Sequence, residues 1–190
     1  VVGYETMFAP NSKDAIVTNV PFGANAPFDA KLDRTFRKEL RGAFNLHNYF
    51  IAKGILELKE GGLGIFITSA ASLDGADNSF RNFIVSQGCD FVGAVRLPNN
   101  AFFKNAGTEV TTDILVIRKR KVGESSNGIL FSELKEIGTG TYTEKNNSGK
   151  YVTLEKPILV NEYFAEHLEM MLGKMMTAND AGSGGLYSNA

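Results

Sequence analysis

Four short apolar runs, each bounded by turn-forming residues, constrain the fold of this chain more than any other feature. These runs are residues 14–18, 63–68, 91–97 and 113–118. Each is rich in β-branched residues, which is typical of buried strands. Helical patterns at 46–59 and 78–86 separate the first three runs. Such alternation predicts an α/β fold with a mostly parallel sheet.

The last two predicted strands have no helical pattern between them. Pro98 ends the third strand, and a loop of polar and small residues leads to the fourth. A parallel pair usually needs a crossover helix, so the sequence predicts that these two strands pair antiparallel.

The chain changes character after Lys121, which predicts a first unit over 1–121 and a small appendage over 122–190. Two polar, turn-rich segments lie in the appendage, at 123–128 and 145–150. The other expected elements are short strands at 129–131 and 150–154, a helix from an Asn161 cap to about Leu172, and a mobile tail at 181–185. The sequence does not disclose the role of the appendage.

Composition narrows the class of protein. No apolar run among the 190 residues is long enough to span a bilayer, and no signal peptide is visible. The single Cys89 precludes an internal disulfide, which fits a reducing compartment, so we expect a cytoplasmic protein. With two histidines and one cysteine, no metal site is expected.

Charge does not decide whether the chain binds nucleic acid. The net charge is −1, although many DNA enzymes concentrate basic residues on one face while the total stays near neutral. The basic cluster at residues 118–121 fits a solvated strand end and a phosphate contact equally well.

Asn19-Val20-Pro21-Phe22 follows the first predicted strand and is the motif that carries chemistry. Ligands of open α/β sheets bind at the carboxyl ends of strands, so this position suits a site. Taken alone, the four residues are more typical of a strand followed by a proline turn.

Further segments extend the motif in a fixed order along the chain. They are 14–23, 46–51, 61–69 with Leu73-Asp74, 96–99, Phe102, 107–110 and 112–115. With these segments, residues 1–121 resemble the C-terminal half of the catalytic domain of large bacterial and mobile-element adenine-N6 DNA methyltransferases. The resemblance implies a partial Rossmann-like methyltransferase fold.

The resemblance also implies roles for the motif. In such enzymes the target adenine is rotated out of the duplex. The side-chain oxygen of Asn19 and the main-chain carbonyl of Val20 would accept hydrogen bonds from its amino group, Pro21 would shape the loop, and Phe22 would stack on the base. Val20 departs from the commoner proline, but its carbonyl is kept, and its place before Pro21 favours the same extended backbone.

The methyl donor of the family is S-adenosylmethionine. Its glycine-rich binding turn normally precedes the catalytic loop, and this chain has only 18 residues before Asn19. The glycines at 61–64 end a helix and enter a strand, so they do not replace the missing donor-binding turn. We therefore expect weak or no donor binding by this chain, with DNA and the rest of a longer parent polypeptide as partners.

Several other residues have both a functional and a structural interpretation. Lys104, Asn105 and Thr108 are candidate DNA contacts in the loop between the last two strands, where a solvated loop fits equally well. Asp74 is expected to serve a turn or a helix cap. Arg96 and Asp113 are expected to pair structurally.

No catalytic role is expected for the aromatic and histidine residues outside the motif. Phe102 and Phe103 are expected to pack under the loop rather than line a base pocket. His47 and His167 lie on predicted helices beside polar neighbours and are assigned no catalytic task.

Three functions remain open at this point. The first is the target-base half of a DNA adenine-N6 methyltransferase. The second is a methyltransferase acting on another planar amide or amine, for which the loop chemistry is identical. The third is a non-catalytic DNA-binding or assembly module that retains the fold.

Overall fold

A computed structural model describes residues 9–23, 45–107, 109–177 and 186–189 of the chain. Its central sheet has four strands, in the order β1-β2-β4-β3. They are β1 (Lys13–Asn19), β2 (Leu58–Ser69), β3 (Cys89–Leu97) and β4 (Thr112–Lys119). β1 pairs parallel with β2, whereas β4 lies antiparallel between β2 and β3. Three of the four strands therefore run the same way, and the predicted α/β class and antiparallel final pair are confirmed.

Five α-helices are described. They are α1 (Leu46–Glu57), α2 (Ala71–Asp74), α3 (Ser79–Ser86), α4 (Phe103–Ala106) and α5 (Glu162–Glu166). The predicted helices at 46–59 and 78–86 are confirmed as α1 and α3, except that α1 ends two residues early. Among the described residues, no helix is long and apolar enough to cross a bilayer.

Specific hydrogen bonds set the two ends of α1. At its start, the side chain of Asn45 accepts from the Asn48 amide at 3.2 Å. At its end, Lys119 Nζ donates to the carbonyls of Ile55 at 3.2 Å and Leu58 at 2.8 Å. These bonds satisfy carbonyls that lack an intrahelical partner, so the helix can stop at Glu57.

The prediction that the first strand is buried is wrong. Six of the seven residues of β1 are exposed, and the Val17 side chain is 74% exposed. Within the described ranges β1 pairs with β2 alone, which leaves its other edge open. β-branched residues favour the pleated backbone whether or not another layer covers them, so composition alone could not distinguish an edge strand.

The core lies where β2, β3 and β4 pack against α1 and α3. Its fully buried side chains include Ile51, Ile55, Phe66, Ile84, Leu115 and Ile117. Burying each such side chain contributes roughly 1.5–3 kcal/mol, and this holds α1 and the central strands in place.

Residues beyond 121 form a long hairpin and contribute to the same core. The hairpin consists of β5 (Leu134–Lys145) and β6 (Tyr151–Asn161), and a small pair follows, β7 (Lys174–Thr177) and β8 (Leu186–Asn189). The turn predicted near 145–150 joins β5 to β6. Phe131, Val160 and Phe164 belong to the core cluster that the first strands and helices form. The predicted tail at 181–185 lies outside the described residues.

Two element predictions in this part are wrong. Residues 129–131 are not a strand: Ile129 donates one backbone hydrogen bond to Phe91 at 3.0 Å, while Phe131 stacks on the Phe91 ring at 4.5 Å. The helix capped by Asn161 ends at Glu166 instead of Leu172, because His167 has a non-helical backbone. The Asn161 cap is confirmed, since its side chain accepts from the Tyr163 amide at 3.2 Å.

Candidate functional site

One edge of the central sheet gathers the candidate residues. β1, β2 and β3 end at this edge, and β4 begins there. The connecting segments 20–23, 70–78 and 98–107 therefore start from the same edge. In open α/β sheets this is the edge at which ligands bind.

The Asn19–Phe22 segment leaves the sheet as a loop anchored by Val20. Asn19 is the last residue of β1 and lies opposite Ile67. The Val20 amide donates to the Ile67 carbonyl at 3.0 Å, and the Val20 side chain is only 3% exposed. Its neighbours Asn19, Pro21 and Phe22 are exposed. The buried valine thus holds the loop while the adjoining groups face outward.

The loop carries two oxygen atoms that could accept hydrogen bonds from a substrate, the Asn19 side-chain oxygen and the Val20 carbonyl. Within the described part of the chain, neither the Asn19 side-chain oxygen nor the Val20 carbonyl accepts a hydrogen bond. Both can therefore accept from an amino group brought to the loop.

The start of α1 lies directly against this loop. The Leu46 amide donates to the Gly23 carbonyl at 3.0 Å, and a Cβ on Gly23 would lie 3.1 Å from the Leu46 side chain. A buried chain of hydrogen bonds holds the helix start to the end of β2. Ser72 Oγ donates to Asn48 Oδ1 at 2.8 Å and lies 2.8 Å from Thr68 Oγ1.

His47, the second residue of α1, adds an unexpected neighbour to the motif. Its side chain is 6% exposed, and its ring lies edge-to-face with the Phe22 ring, with centroids 6.3 Å apart. Neither ring nitrogen has a hydrogen-bond partner among the described residues. Burial lowers the pKa of His47 from 6.5 to about 4, so the ring is neutral near pH 7. The sequence does not predict the contact between His47 and Phe22, because 24 residues separate them along the chain.

A groove of about 460 Å³ runs along β1 and reaches the loop. Residues lining it are Lys13, Ala15, Ile16, Val17, Thr18, Val20, Pro21, Phe50, Glu57 and Phe66. This volume is within the range typical of small-molecule sites.

The glycines at 61–64 pack closely against the protein's own atoms. A Cβ on Gly62 would lie 2.8 Å from the Lys59 carbonyl, and one on Gly64 would lie 2.6 Å from the Phe66 ring. The protein's own atoms thus fill the space that these glycines open. The expectation that these glycines do not hold the donor stays a prediction.

Of the three candidate DNA contacts, the structure describes the side chain of Lys104. Lys104 is exposed on α4, in the connection that leaves β3. β1 and β3 are separated by three strand spacings, or about 14 Å. The side chain of Asn105 and all of Thr108 lie outside the described residues.

Partners within the protein occupy most of the basic cluster. Arg118 forms two hydrogen bonds with Glu124, at 2.8 and 2.9 Å, and Arg120 pairs with Asp90. Lys119 caps α1 as described above. These contacts favour the structural interpretation of the cluster over a phosphate site.

The predicted pair of Arg96 and Asp113 is confirmed and extends to Asp74. Arg96 is fully buried, and its Nε and Nη2 donate to the two Asp113 oxygens at 2.8 and 2.9 Å. Its Nη1 donates to Asp74 at 2.5 Å, and its guanidinium lies 4.3 Å from the Phe164 ring. Burial alone would lower the pKa of Arg96, but the two carboxylates raise it, so the residue stays charged.

Asp74 is more than the turn or cap residue that its sequence context predicts. Besides Arg96, it accepts from the Asn161 amide at 2.8 Å. It therefore joins the carboxyl edge of the sheet to the hairpin.

The expectation that both loop phenylalanines pack under the loop is wrong for one of them. Phe102 is half-buried, whereas Phe103 is 52% exposed. Phe103 begins the short helix α4, which turns its side chain outward.

The mixed sheet carries the Asn-Val-Pro-Phe loop at its carboxyl edge. The model of the N-6 DNA methylase family matches residues 4–169. The chain belongs to this family of methyltransferases.

The match to each individual relative covers only part of that relative's length. The chain is 30% identical over 111 residues to the defense against restriction protein B of Escherichia phage P1, which covers 58% of this chain and 5% of that protein. A candidate class I S-adenosylmethionine-dependent methyltransferase from Listeria monocytogenes is 20% identical, covering 64% of this chain and 36% of that one, with a TM-score of 0.47.

A modification subunit of a candidate type I restriction enzyme from Vibrio vulnificus YJ016 is 13% identical. It covers 94% of this chain and 37% of that one, with a TM-score of 0.45. This chain thus spans well under half the length of each of these three proteins.

Proposed function

We propose that this chain forms the target-base side of a DNA adenine-N6 methyltransferase. The observation that supports this proposal most directly is the geometry of the Asn19–Phe22 loop. Buried Val20 anchors the loop to the end of the strand, while two oxygen acceptors and an aromatic ring remain available. Family membership supports the methyltransferase class, and the choice of adenine in DNA is our proposal.

The loop can act on an amino group through its two acceptors. The amino nitrogen of adenine is a poor nucleophile because its lone pair is delocalised into the ring. Hydrogen bonds from its two N–H groups to Asn19 and to the Val20 carbonyl favour a pyramidal nitrogen with an available lone pair. Each bond contributes roughly 1–3 kcal/mol if it strengthens as charge develops on nitrogen.

Phe22 supplies the surface on which the base rests. Its ring is 39% exposed at the loop end, and stacking a base on such a ring contributes on the order of 1–3 kcal/mol. We propose that Lys104, Asn105 and Thr108, which follow β3 in the sequence, contact the DNA backbone rather than the flipped base.

S-adenosylmethionine is the methyl donor that the family resemblance implies. We propose that its main contacts lie in the rest of a longer parent polypeptide, because the glycines at 61–64 are packed against the protein's own atoms. Calorimetry of this chain with S-adenosylmethionine should then detect no micromolar binding.

The open edge of β1 supports the rest of a longer parent polypeptide as a partner. Among the described residues, exposed Val17 and the groove beside β1 offer an apolar surface, and no second strand pairs with the backbone of β1. Pairing there would extend the sheet next to the Asn19 loop.

The decisive experiment is Asn19→Ala in the complete gene product that carries this chain. Removing one acceptor worth about 1–3 kcal/mol should lower methyl transfer to adenine roughly 5- to 150-fold and leave DNA affinity nearly unchanged. Asn147→Ala is the matched control, since Asn147 is exposed in the hairpin turn. Full activity in the Asn19 variant would refute the proposed role. Binding of DNA by a complete gene product that methylates nothing would instead favour a non-catalytic assembly module.

A further inference from the structure

His47 is a buried polar side chain that the proposed chemistry does not use. Its side chain is 6% exposed, and neither Nδ1 nor Nε2 has a hydrogen-bond partner among the described residues. Burying such nitrogens without partners costs free energy, so an apolar side chain would stabilise this position better. This free-energy cost indicates that the imidazole nitrogens bond to a ligand that binds to the protein.

The position of His47 indicates what that partner is. Its ring lies edge-to-face with Phe22, the residue proposed to stack on the base, with centroids 6.3 Å apart. The bond from the Leu46 amide to the Gly23 carbonyl ties the start of α1 to the loop. A base drawn onto Phe22 would therefore come next to His47, and a shift of the Phe22 ring toward the base would uncover the imidazole.

The imidazole has the hydrogen-bonding capacity that such a base requires. Burial lowers the pKa of His47 to about 4, which keeps the ring neutral near pH 7. A neutral imidazole donates from one nitrogen and accepts at the other. The ring edge of adenine offers both acceptor nitrogens and an amino donor, whereas a protonated ring could only donate.

We propose that His47 is a base-specificity residue, whose imidazole hydrogen-bonds to the ring edge of an adenine stacked on Phe22. This inference rests on the proposed function of the Asn19–Phe22 loop. It adds to that function a residue that recognises adenine after the base leaves the duplex.

Binding of short single-stranded oligodeoxyadenosine by the 190-residue chain tests the inference, with oligothymidine as the comparison ligand. Wild-type protein should prefer the adenine ligand. His47→Phe keeps a ring beside Phe22 but cannot hydrogen-bond, so its affinity for the adenine ligand should fall about tenfold and its affinity for the thymine ligand should not change. His47→Gln keeps a donor and an acceptor, and should retain most of the preference.

Two further measurements separate recognition from folding. The thermal midpoint of His47→Phe should equal or exceed that of wild type, because the variant removes unpartnered buried nitrogens. The ¹⁵N resonances of the His47 ring should shift when the adenine ligand binds.

The outcomes distinguish this inference from the function on which it rests. If wild-type protein binds both ligands equally or neither, the base-handling proposal fails and the role of His47 fails with it. If wild type prefers adenine but His47→Phe does too, or if the His47 resonances do not move, only the role of His47 is overturned.

Discussion

The Arg96 guanidinium is fully buried and compensates two carboxylates, so its removal leaves negative charge in the core without a partner. Arg96→Met keeps much of the side-chain volume but none of the charge. We expect the free energy of unfolding to fall by about 3–5 kcal/mol, measured by urea titration.

Arg118→Met is the control for that variant. Arg118 also bonds a carboxylate twice, through Glu124, but this pair is at the surface. Water already solvates such a pair, so the urea midpoint should not change measurably. Equal effects of the two substitutions would show that burial does not govern the Arg96 pair.

The buried ring of His47 also predicts a dependence of stability on pH. Its pKa is about 4 in the folded chain and near 6.5 when unfolded, so the unfolded state binds the proton more readily as the pH falls. Protonation of His47 therefore does not lower the free energy of unfolding above pH 6.5, and it lowers that free energy progressively from pH 6.5 toward pH 4. The loss should reach roughly 3 kcal/mol relative to His47→Phe, measured by urea unfolding across this range.

His167→Phe provides the matched control for the pH series. His167 is the other histidine of the chain, and its side chain is 40% exposed beside Glu169. This variant should follow the wild-type pH profile. A His47→Phe profile that also matches wild type would contradict the burial of the ring.

Elements with strong local signals could be predicted from the sequence, and those that depend on tertiary contacts could not. β2, β3 and β4 follow from apolar runs bounded by turn residues, and their observed ends differ from the predicted ones by a few residues at most, except at the start of β2. β5 contains Gly138 and Gly140 and is exposed along most of its length, so no apolar alternation marks it. The long partner strand β6 supplies the pairing that its own sequence does not signal.

The same distinction applies to the candidate site. The Asn19–Phe22 loop could be predicted because its four residues are contiguous and belong to an ordered series of family motifs. The contact of His47 with Phe22 depends on how α1 docks beside the loop, and local sequence does not encode that docking. The extension of the Arg96 pair to Asp74 and Asn161 is likewise a product of tertiary packing.

Lys104 on the short helix α4 is the proposed DNA contact that can be tested by substitution. Lys104→Ala in the complete gene product should weaken DNA binding about equally for all sequences and reduce the slope of log affinity against log salt by about 1, because one phosphate contact is lost. Fluorescence anisotropy at several salt concentrations measures both quantities.

Lys150→Ala controls for loss of charge alone. Lys150 is exposed beside the turn that joins β5 to β6. Its removal should leave the salt slope unchanged. If Lys104→Ala behaves in the same way, α4 is a solvated loop element and the DNA contact assigned to it is wrong.

Across the whole molecule, the core continues past residue 121. Phe131 stacks on Phe91 at 4.5 Å, and Asn161 Nδ2 donates to the buried carbonyls of Leu73 and Phe131. A chain that ends at Lys121 loses all of these contacts. We expect it to lack a cooperative thermal transition in calorimetry, because its sheet would expose Phe91 and leave polar groups unpaired.

A chain that ends at Thr177 keeps the same contacts and serves as the comparison. Its thermal midpoint should stay within about 4 °C of the full chain. If the chain ending at Lys121 unfolds cooperatively at a similar temperature, residues 122–190 are an appendage that the first unit does not need.

The position of β4 between β2 and β3 also dictates an order of assembly. Within the described sheet, β4 is the only strand that pairs with β3, so β3 cannot join the sheet before β4 is made. During synthesis, β3 would leave the ribosome with its backbone groups unpaired and wait until Lys119 emerges. Strand pairings that span many residues form slowly and expose apolar surface in the interval. The late arrival of one central strand therefore leaves a nascent chain prone to aggregate at this stage of synthesis.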